Sequence, residues 1–297
     1  MGEPVVMYCV GATKAGTSWL YRYLHGRDDC HFRSVKELHY FDTFEADARD
    51  KQLQQFLTGR DRFVKTRVEA EQAKKGWKVR NMDRRIADMD ELIRVIGGVR
   101  DRDAAYIDYL HSGIDGQRLV GDMTPGYSLL DENMYRQMEQ ASPNTRFVFL
   151  MRDPVERLWS HVRMQAKRFL QPGEEVEIKA GRILNRTVNK GQETHIPARG
   201  DYRGTVQRLR AALPPGKLLV EYAENLLTEA GLKRLCAFLG LPMQAAETQE
   251  RVHEGIKISL DDEQRSQTAR FLEHQYEWAA QNVGPLPEAW QNNLARV

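Results

Sequence analysis

Cysteine is scarce in this chain of 297 residues, which contains only Cys9, Cys30 and Cys236. The number is odd and the three are far apart in the sequence, so the pattern does not suggest a framework of disulfides. Two of them lie in strongly apolar surroundings, which indicates buried, reduced thiols. Reduced thiols are typical of cytoplasmic proteins, and we therefore predict a cytoplasmic location.

The chain also lacks an excess of charge of one sign and any long hydrophobic run. The 44 Lys and Arg residues and the 42 Asp and Glu residues leave a formal net charge of +2, which does not favour a nucleic-acid or membrane surface. The longest apolar runs have the length of strands, so we predict no membrane-spanning helix. The first of them begins near the N-terminus without the basic stretch of a signal peptide. The histidines show no metal-ligand spacing, so we predict no bound metal.

What the sequence does contain is an alternation of apolar runs with stretches of helical period. This alternation is typical of a parallel sheet flanked by helices. We predict an α/β fold, with a P-loop-type parallel β-sheet, in a single domain of residues 1–297. The predicted strands are Val5–Val10, Arg118–Gly121, Arg146–Met151 and Leu218–Glu221. The predicted helices are Thr17–Leu24, Asp131–Gln140, Val155–Arg168, Tyr202–Leu213 and Thr228–Leu239.

Three segments depart from this alternation. Residues 44–100 are dense in charge and have apolar residues at helical spacing, which predicts a helical insertion. Residues 171–198 contain Pro172-Gly173 and few apolar residues, which predicts a long, mobile active-site loop that could act as a gate. Residues 240–297 predict a C-terminal helical extension: a polar connector, a helix from about Asp261 to Gln281, and a short tail.

The most informative local pattern is the first strand followed by Gly11-Ala12-Thr13-Lys14-Ala15-Gly16-Thr17-Ser18. Such a turn between strand and helix can bind an anion, because glycine lets the backbone approach it and the helix N-terminus presents free N–H groups. A nucleoside-triphosphatase loop places its lysine after the second glycine, whereas Lys14 precedes Gly16. We therefore expect an anionic leaving group other than a γ-phosphate. The alternative is that Thr17 and Ser18 only cap the helix.

A second pattern surrounds Arg152, at the end of an apolar strand. Asp153 at the N-cap, Pro154 at the first helical position and Glu156 two residues later predict a helix start. Arg152 would thus lie at the carboxyl edge of the sheet, beside the first turn. Its guanidinium and the Ser160 hydroxyl suit a second phosphate. The alternative is a surface arginine paired with Asp153 and a solvated serine.

These two patterns and three others together resemble the sulfotransferases that use 3′-phosphoadenosine 5′-phosphosulfate (PAPS). The resemblance is strongest to the branch of the heparan sulfate enzymes and their bacterial homologues. The matching segments, in chain order, are Lys14–Ser18 (K-x-G-T-[TS]), Lys36–Asp42 (K-E-x-H-[FY]-F-D), Thr124–Tyr127 (T-P-x-Y), Arg152–Ser160 (R-D-P-x-x-R-x-x-S) and Arg199–Tyr202 (R-G-x-Y). Each motif is weak by itself, but five in the family's order are specific.

The resemblance implies roles for individual residues. It implies that the loop binds the 5′-phosphosulfate, with Lys14 as a catalytic cation at the bridging oxygen, and that Arg152 and Ser160 bind the 3′-phosphate. The donor-binding residues would be Lys14, Ala15, Gly16, Thr17, Ser18, Trp19, Arg152, Ser160, Arg199 and Gly200. The acceptor-binding residues would be Lys36, His39, Asp42 and Thr124. The acceptor would be a hydroxyl of a small molecule or carbohydrate, the product would be adenosine 3′,5′-bisphosphate (PAP), and no metal is implied.

Glu37 and His39 are both candidates for the base that takes the acceptor proton. As alternate residues of an extended segment, they would face one pocket. The family assigns this role to the matching glutamate, so we expect Glu37 to be the base, with His39 as the second candidate. A structural ion pair of Glu37 with Lys36 or Lys14 is the other interpretation.

The chain departs from the family pattern at Met123, where many relatives have a lysine that helps to stabilise the sulfuryl group. Lys36 or another residue would have to replace it. The departure leaves open a PAP-binding module without catalysis. A P-loop kinase is disfavoured by the position of Lys14 and by the lack of an acidic magnesium ligand at a strand end.

Overall fold

The computed structural model describes residues 3–100, 103–246 and 258–297 and shows one parallel sheet flanked by helices. The order of its strands is β2-β3-β1-β4-β5, with β1 paired to both β3 and β4. This architecture confirms the predicted α/β class. The strands are β1 (Val5–Gly11), β2 (Cys30–His31), β3 (Leu119–Asp122), β4 (Thr145–Met151) and β5 (Leu218–Tyr222).

The central strand shows why its sequence is continuously apolar. All residues from Val6 to Val10 are fully buried, and a parallel strand that is covered on both faces requires apolar side chains on both. The same reasoning predicts β3, β4 and β5. The sequence does not predict β2, which contributes only two residues at the edge of the sheet.

Helices connect the strands and extend beyond them. The described residues contain α1 (Thr17–His25), α2 (Ala46–Gln72), α3 (Gly76–Gly97), α4 (Ala104–His111), a 3₁₀ helix (Pro125–Leu129), α5 (Glu132–Gln140), α6 (Pro154–Arg168), α7 (Val176–Val188), α8 (His195–Ala198), α9 (Tyr202–Ala212), α10 (Ala223–Leu226), α11 (Glu229–Leu239), α12 (Asp262–Asn282) and α13 (Glu288–Leu294). None of these helices is long and apolar enough to cross a membrane.

The segment predicted as a helical insertion folds into α2 and α3, which pack against each other. Phe56 of α2 and Leu92 and Ile96 of α3 are buried. Arg60 Nε donates to Asp90 Oδ1 across the pair at 2.5 Å. The apolar residues of this segment therefore face the core, while its charged residues lie on the outer sides of the two helices, pair across them, or bind Arg33.

Residues 171–198 are not the irregular loop that the sequence predicts. They contain α7 and α8, and α7 packs against α6. Ile183 and Leu184 of α7 are buried. The prediction of an irregular structure is therefore wrong for Val176–Val188, while a gating role for the segment stays a prediction.

The C-terminal extension contains more helix than predicted. The predicted helix is α12, which begins at a capping box formed by Asp261 and Gln264. The expected short tail contains α13. Most of the predicted polar connector falls on residues 247–257, which lie outside the described residues.

Candidate active site

A cleft of about 1320 Å³ lies at the carboxyl edge of the sheet, where parallel α/β sheets bind their ligands. Every motif segment singled out from the sequence contributes to its walls. The contributing residues are Lys14, Gly16, Thr17, Ser18, Trp19, Lys36, Glu37, His39, Asp42, Pro125, Gly126, Arg152, Ser160 and Arg199. Ala15, Thr124 and Gly200 are buried and do not line it.

The turn after β1 has the geometry expected of an anion site. Lys14 and Gly16 both have left-handed backbone angles, with φ of 71° and 86°. No side chain caps the N-terminus of α1, so the alternative that Thr17 and Ser18 serve as caps is not supported. The Ala15 N–H donates to the Ala12 carbonyl at 3.1 Å and the Trp19 N–H to the Gly16 carbonyl at 3.0 Å. Among the described residues, the N–H groups of Gly16, Thr17 and Ser18 have no hydrogen-bond partner, which leaves them for a ligand.

Lys14 lies in a strongly cationic part of the cleft. Burial lowers the pKa of its ammonium, and the nearby Arg152 and Arg163 lower it further. No carboxylate of the described residues lies within ion-pair distance of Lys14. A partly buried ammonium beside two guanidinium groups favours an anionic ligand.

Arg152 leaves β4 toward the same turn. Its Nη1 donates to the Lys14 carbonyl at 3.5 Å, and its Nη2 lies 3.7 Å from Glu156 Oε2. The hydroxyl of Tyr202 donates to the Arg152 carbonyl at 2.5 Å. Arg152 therefore joins the two predicted donor-binding segments, and the predicted pairing with Asp153 is absent from the ion pairs of the described residues.

Gly200 supports the cleft from behind. A Cβ at this position would lie 2.4 Å from the guanidinium carbon of Arg157, so any other residue would displace that guanidinium. Arg157 is buried, and its Nη2 donates to the Ile196 carbonyl at 3.1 Å. This packing connects α6 to the segment that carries Arg199.

The segment after Val35 brings four titratable side chains together. Lys36 Nζ donates to Glu37 Oε1 at 2.9 Å. On the other side of Glu37, His39 Nε2 lies 3.7 Å from Oε2, and His39 Nδ1 is hydrogen-bonded to Asp42 Oδ2 at 2.8 Å. The sequence predicts an extended segment here, but His39 has φ of 51°, so the prediction of an extended backbone is wrong at this residue. A left-handed turn, not strand alternation, makes Glu37 and His39 face each other.

These contacts fix the charges of Glu37 and His39. Burial alone would raise the pKa of Glu37, but His39 and Lys36 outweigh it and lower that pKa to about 2. Burial alone would lower the pKa of His39, but Asp42 and Glu37 raise it to about 9. At neutral pH, Glu37 is therefore an anion and His39 is a cation.

Thr124 lies beneath this segment and away from the cleft surface. Its hydroxyl donates to Asp122 Oδ1 at 2.6 Å and accepts from the Leu38 N–H at 2.8 Å. Because the hydroxyl is buried and already bonded, it is not available to an acceptor molecule. Of the predicted acceptor-binding residues, Lys36, His39 and Asp42 line the cleft, while Thr124 does not.

The C-terminal helices hold the helix start that follows Arg152. Asp153 caps α6, and its carboxylate also accepts from Tyr276 Oη and Asn293 Nδ2, each at 3.0 Å. Burial raises the pKa of Asp153 to about 6. Gln275 Oε1 accepts from the Tyr202 N–H at 3.0 Å. The extension thereby fastens two of the predicted donor-binding segments.

Sequence reasoning missed the parts of two helices that face the cleft. On α2 they are Ala48, Lys51, Gln52 and Gln55, and on α6 they include Arg163, Met164 and Lys167, on the face of the predicted Ser160. Both sets have the spacing of three and four residues that marks one helix face. Once Ser160 is placed in the site, this spacing identifies its neighbours on α6. No local signal identifies the residues of α2.

No group of three or more His, Cys, Asp or Glu side chains in the described ranges is arranged to hold a metal ion.

Comparisons with known proteins identify the family and the fold of the chain. A model described as the sulfotransferase family matches residues 7–245. The structure is similar to that of a sulfotransferase from Alicyclobacillus acidocaldarius, with a TM-score of 0.62 and 20% sequence identity over 98% of this chain and 100% of that chain. The sulfotransferase domain from the curacin biosynthetic pathway gives a TM-score of 0.45 at 16% identity, over 97% of this chain and 99% of that one. No curated protein matches the chain.

Proposed function

The chain belongs to the sulfotransferase family and is a sulfotransferase enzyme, and we propose that it transfers a sulfuryl group from PAPS to a hydroxyl of a small-molecule or glycan acceptor. One observation carries this proposal. The uncapped N-terminus of α1, the cation Lys14 and the ionised Glu37 all face one cleft. The chain thus provides donor binding and proton acceptance at the same place.

The donor would lie between the turn after β1 and the start of α6. The N–H groups of Gly16, Thr17 and Ser18, together with Lys14, suit the phosphosulfate end. Arg152, Ser160 and Arg199 line the cleft and suit the 3′-phosphate. PAPS supplies the sulfuryl group, which transfers in line to the acceptor oxygen and leaves PAP. Lys14 would stabilise the charge that grows on the departing phosphate.

Glu37 is the better candidate for the general base. A base must be unprotonated, and Glu37 meets this condition at neutral pH while His39 carries its proton. The Glu37 side chain is 46% exposed within the cleft wall, so an acceptor hydroxyl can reach it. A bound anionic donor would raise the low pKa of Glu37 and make it a stronger base. His39, held by Asp42, would then orient Glu37 and the acceptor.

Lys36 is our candidate for the cation that Met123 does not supply. Met123 is fully buried, whereas Lys36 lines the cleft beside Glu37. An ammonium at this place would stabilise negative charge on the transferring group.

The acceptor would enter on the side of α2. Lys51, Gln52 and Gln55 present an ammonium and two amides there, and none of the cleft-lining residues of α2 is a carboxylate. Residues 171–198, which end at Arg199, would close over the ligands. Closure would exclude water, which otherwise competes for the sulfuryl group. The three cysteines are free and buried, which supports a cytoplasmic location.

The decisive test measures sulfate transfer from labelled PAPS to a panel of hydroxylated small molecules and oligosaccharides. We expect transfer without added metal, and we expect PAP to raise the melting temperature more than ATP does. Equal stabilisation by PAP and ATP would contradict the 3′-phosphate site. Stabilisation by PAP without transfer to any acceptor would favour a PAP-binding module, and magnesium-dependent ATP hydrolysis would favour a kinase-like enzyme.

A further inference from the structure

Asp122, at the carboxyl end of β3, is a fully buried carboxylate for which the structure shows no cationic partner among the described residues. Three hydroxyls donate to it instead. Thr124 donates to Oδ1 at 2.6 Å, while Tyr127 and Tyr106 donate to Oδ2 at 2.7 and 2.9 Å. A buried charge that is bonded only to neutral groups lowers the stability of the fold. We therefore expect Asp122 to have a function that offsets this loss of stability.

Two of the three hydroxyls connect Asp122 to the segment that carries the candidate base. Thr124 Oγ1 accepts from the N–H groups of Leu38 and His39, at 2.8 and 3.3 Å. Tyr127 Oη accepts from the N–H groups of Tyr40 and Phe41, at 2.9 and 3.3 Å. Four consecutive amides between Glu37 and Asp42 are therefore held by two hydroxyl oxygens.

The carboxylate determines the direction of these bonds. A hydroxyl has a single proton to donate, and an ionised carboxylate can only accept. Burial raises the pKa of Asp122 to about 6, whereas the hydrogen bonds of Thr124, Tyr127 and Tyr106 favour the ionised form, which can accept from all three hydroxyls. The hydroxyls of Thr124 and Tyr127 must then point their protons at Asp122 and their lone pairs at the backbone amides.

The segment held in this way includes the left-handed turn at His39, with φ of 51°. Residues other than glycine adopt such a conformation only when the surroundings impose it. That turn brings His39 Nε2 to 3.7 Å from Glu37 Oε2, so the anchored amides decide where the candidate base lies.

We propose that Asp122 is a positioning residue, which acts through Thr124 and Tyr127 to hold Glu37 and His39 in the geometry that proton transfer requires. The proposal builds on the proposed sulfuryl transfer and assigns to Asp122, Thr124 and Tyr127 a role in turnover without contact to donor or acceptor.

The chain provides a matched pair of variants for the test. Tyr127→Phe and Tyr106→Phe each keep the aromatic ring and remove one hydroxyl that donates to Asp122 Oδ2. Only the Tyr127 hydroxyl also accepts from backbone N–H groups of residues 38–41. We expect Tyr127→Phe to lower kcat about 10- to 100-fold, the range seen for small displacements of reacting groups. The dissociation constant for PAP should not change. Tyr106→Phe should lower the melting temperature without lowering kcat.

Thr124→Val and Thr124→Ser form a second pair. Valine has nearly the same shape as threonine but no hydroxyl, so Thr124→Val should lower kcat as Tyr127→Phe does. Serine keeps the hydroxyl, so Thr124→Ser should turn over at nearly the wild-type rate. Equal loss of kcat in Tyr127→Phe and Tyr106→Phe, or normal kcat in Tyr127→Phe, would overturn the proposal. Asp122→Asn is less informative, because it can prevent folding.

Amide hydrogen exchange of the peptide spanning residues 38–41 gives a readout that does not depend on activity. We expect faster exchange in Tyr127→Phe than in Tyr106→Phe. If the wild type transfers no sulfate to any acceptor, the proposed function fails while the exchange result still decides whether Asp122 holds this segment. Equal exchange in the two variants would refute the positioning role even in an active enzyme.

Discussion

Replacing Glu37 by glutamine is the sharpest test of the proposed chemistry. Glutamine has almost the same size and can still accept a hydrogen bond from Lys36, so the cleft should keep its shape. It cannot take a proton from the acceptor hydroxyl. Because a positioned base contributes about 10²- to 10⁴-fold, we expect turnover to fall by this amount while the dissociation constant for PAP stays the same.

The structure also gives the size of a second, electrostatic effect. His39 Nε2 lies 3.7 Å from Glu37 Oε2, and two unit charges about 4 Å apart attract by about 1 kcal/mol at the dielectric constant of water. The Glu37 side chain is 46% exposed, so water screens the pair and this low value applies. Removing the carboxylate should therefore lower the pKa of His39 from about 9 toward its ordinary range, while Asp42 keeps part of the increase.

Three experiments measure these effects. Single-turnover sulfate transfer gives the rate, calorimetric titration with PAP gives its dissociation constant, and NMR titration of the His39 ring gives the pKa of His39. Glu45→Gln is the control, because Glu45 is exposed and the substitution removes the same charge from the protein. Turnover of Glu37→Gln within about tenfold of wild type would lie below the range for a general base and refute the assignment. If His39→Ala then abolished turnover, His39 would be the base.

Three further outcomes follow from the same contacts. Arg152→Ala should weaken PAP binding by about 1.5–3 kcal/mol in calorimetry, because it removes a charge-assisted bond; an unchanged affinity would mean that Arg152 does not contact the donor. Since the pKa of His39 is raised to about 9 in the folded state, its stabilising effect should be complete below pH 6.5 and disappear as the pH rises to 9. This effect amounts to at most about 3 kcal/mol. In urea unfolding, the free energy of unfolding of wild type should exceed that of His39→Gln by less and less as the pH rises from 6.5 to 9; a constant difference would contradict the stabilising role of the His39 charge. Limited proteolysis should cut the free protein around Lys190, between α7 and α8, and PAP should slow the cut; equal rates would argue against a donor-coupled gate.

The elements that could be predicted from the sequence are those whose signal is local. The strands β1 and β4 are runs of buried apolar residues, and the start of α6 has a proline and an acidic cap in sequence. Helix α7 was missed although Ala180, Ile183 and Leu184 have helical spacing. Pro172-Gly173 lies just before that helix, and because this dipeptide is typical of a loop, it favours irregular structure for a segment that is in fact mostly helical.

The site was predictable as a set of residues but not as a geometry. The motif spacing predicts Glu37, His39 and Asp42, yet the left-handed turn at His39 lies in a segment whose amides bond to Thr124 and Tyr127. Between 85 and 87 residues separate the partners of these bonds, and no local pattern encodes such contacts. For the same reason, Thr124 was expected at the cleft surface, where the structure does not put it.

The hydrogen bonds from Tyr276 and Asn293 to Asp153 restrict which substitutions homologues of this enzyme can accept at these three positions. The family model ends at residue 245, so the aspartate belongs to the shared motif while both of its partners lie beyond it. A homologue that loses α12 and α13 must supply new donors to this buried carboxylate or replace it. We therefore expect position 153 to change together with positions 276 and 293 across descendants of this lineage, although more than 100 residues separate them.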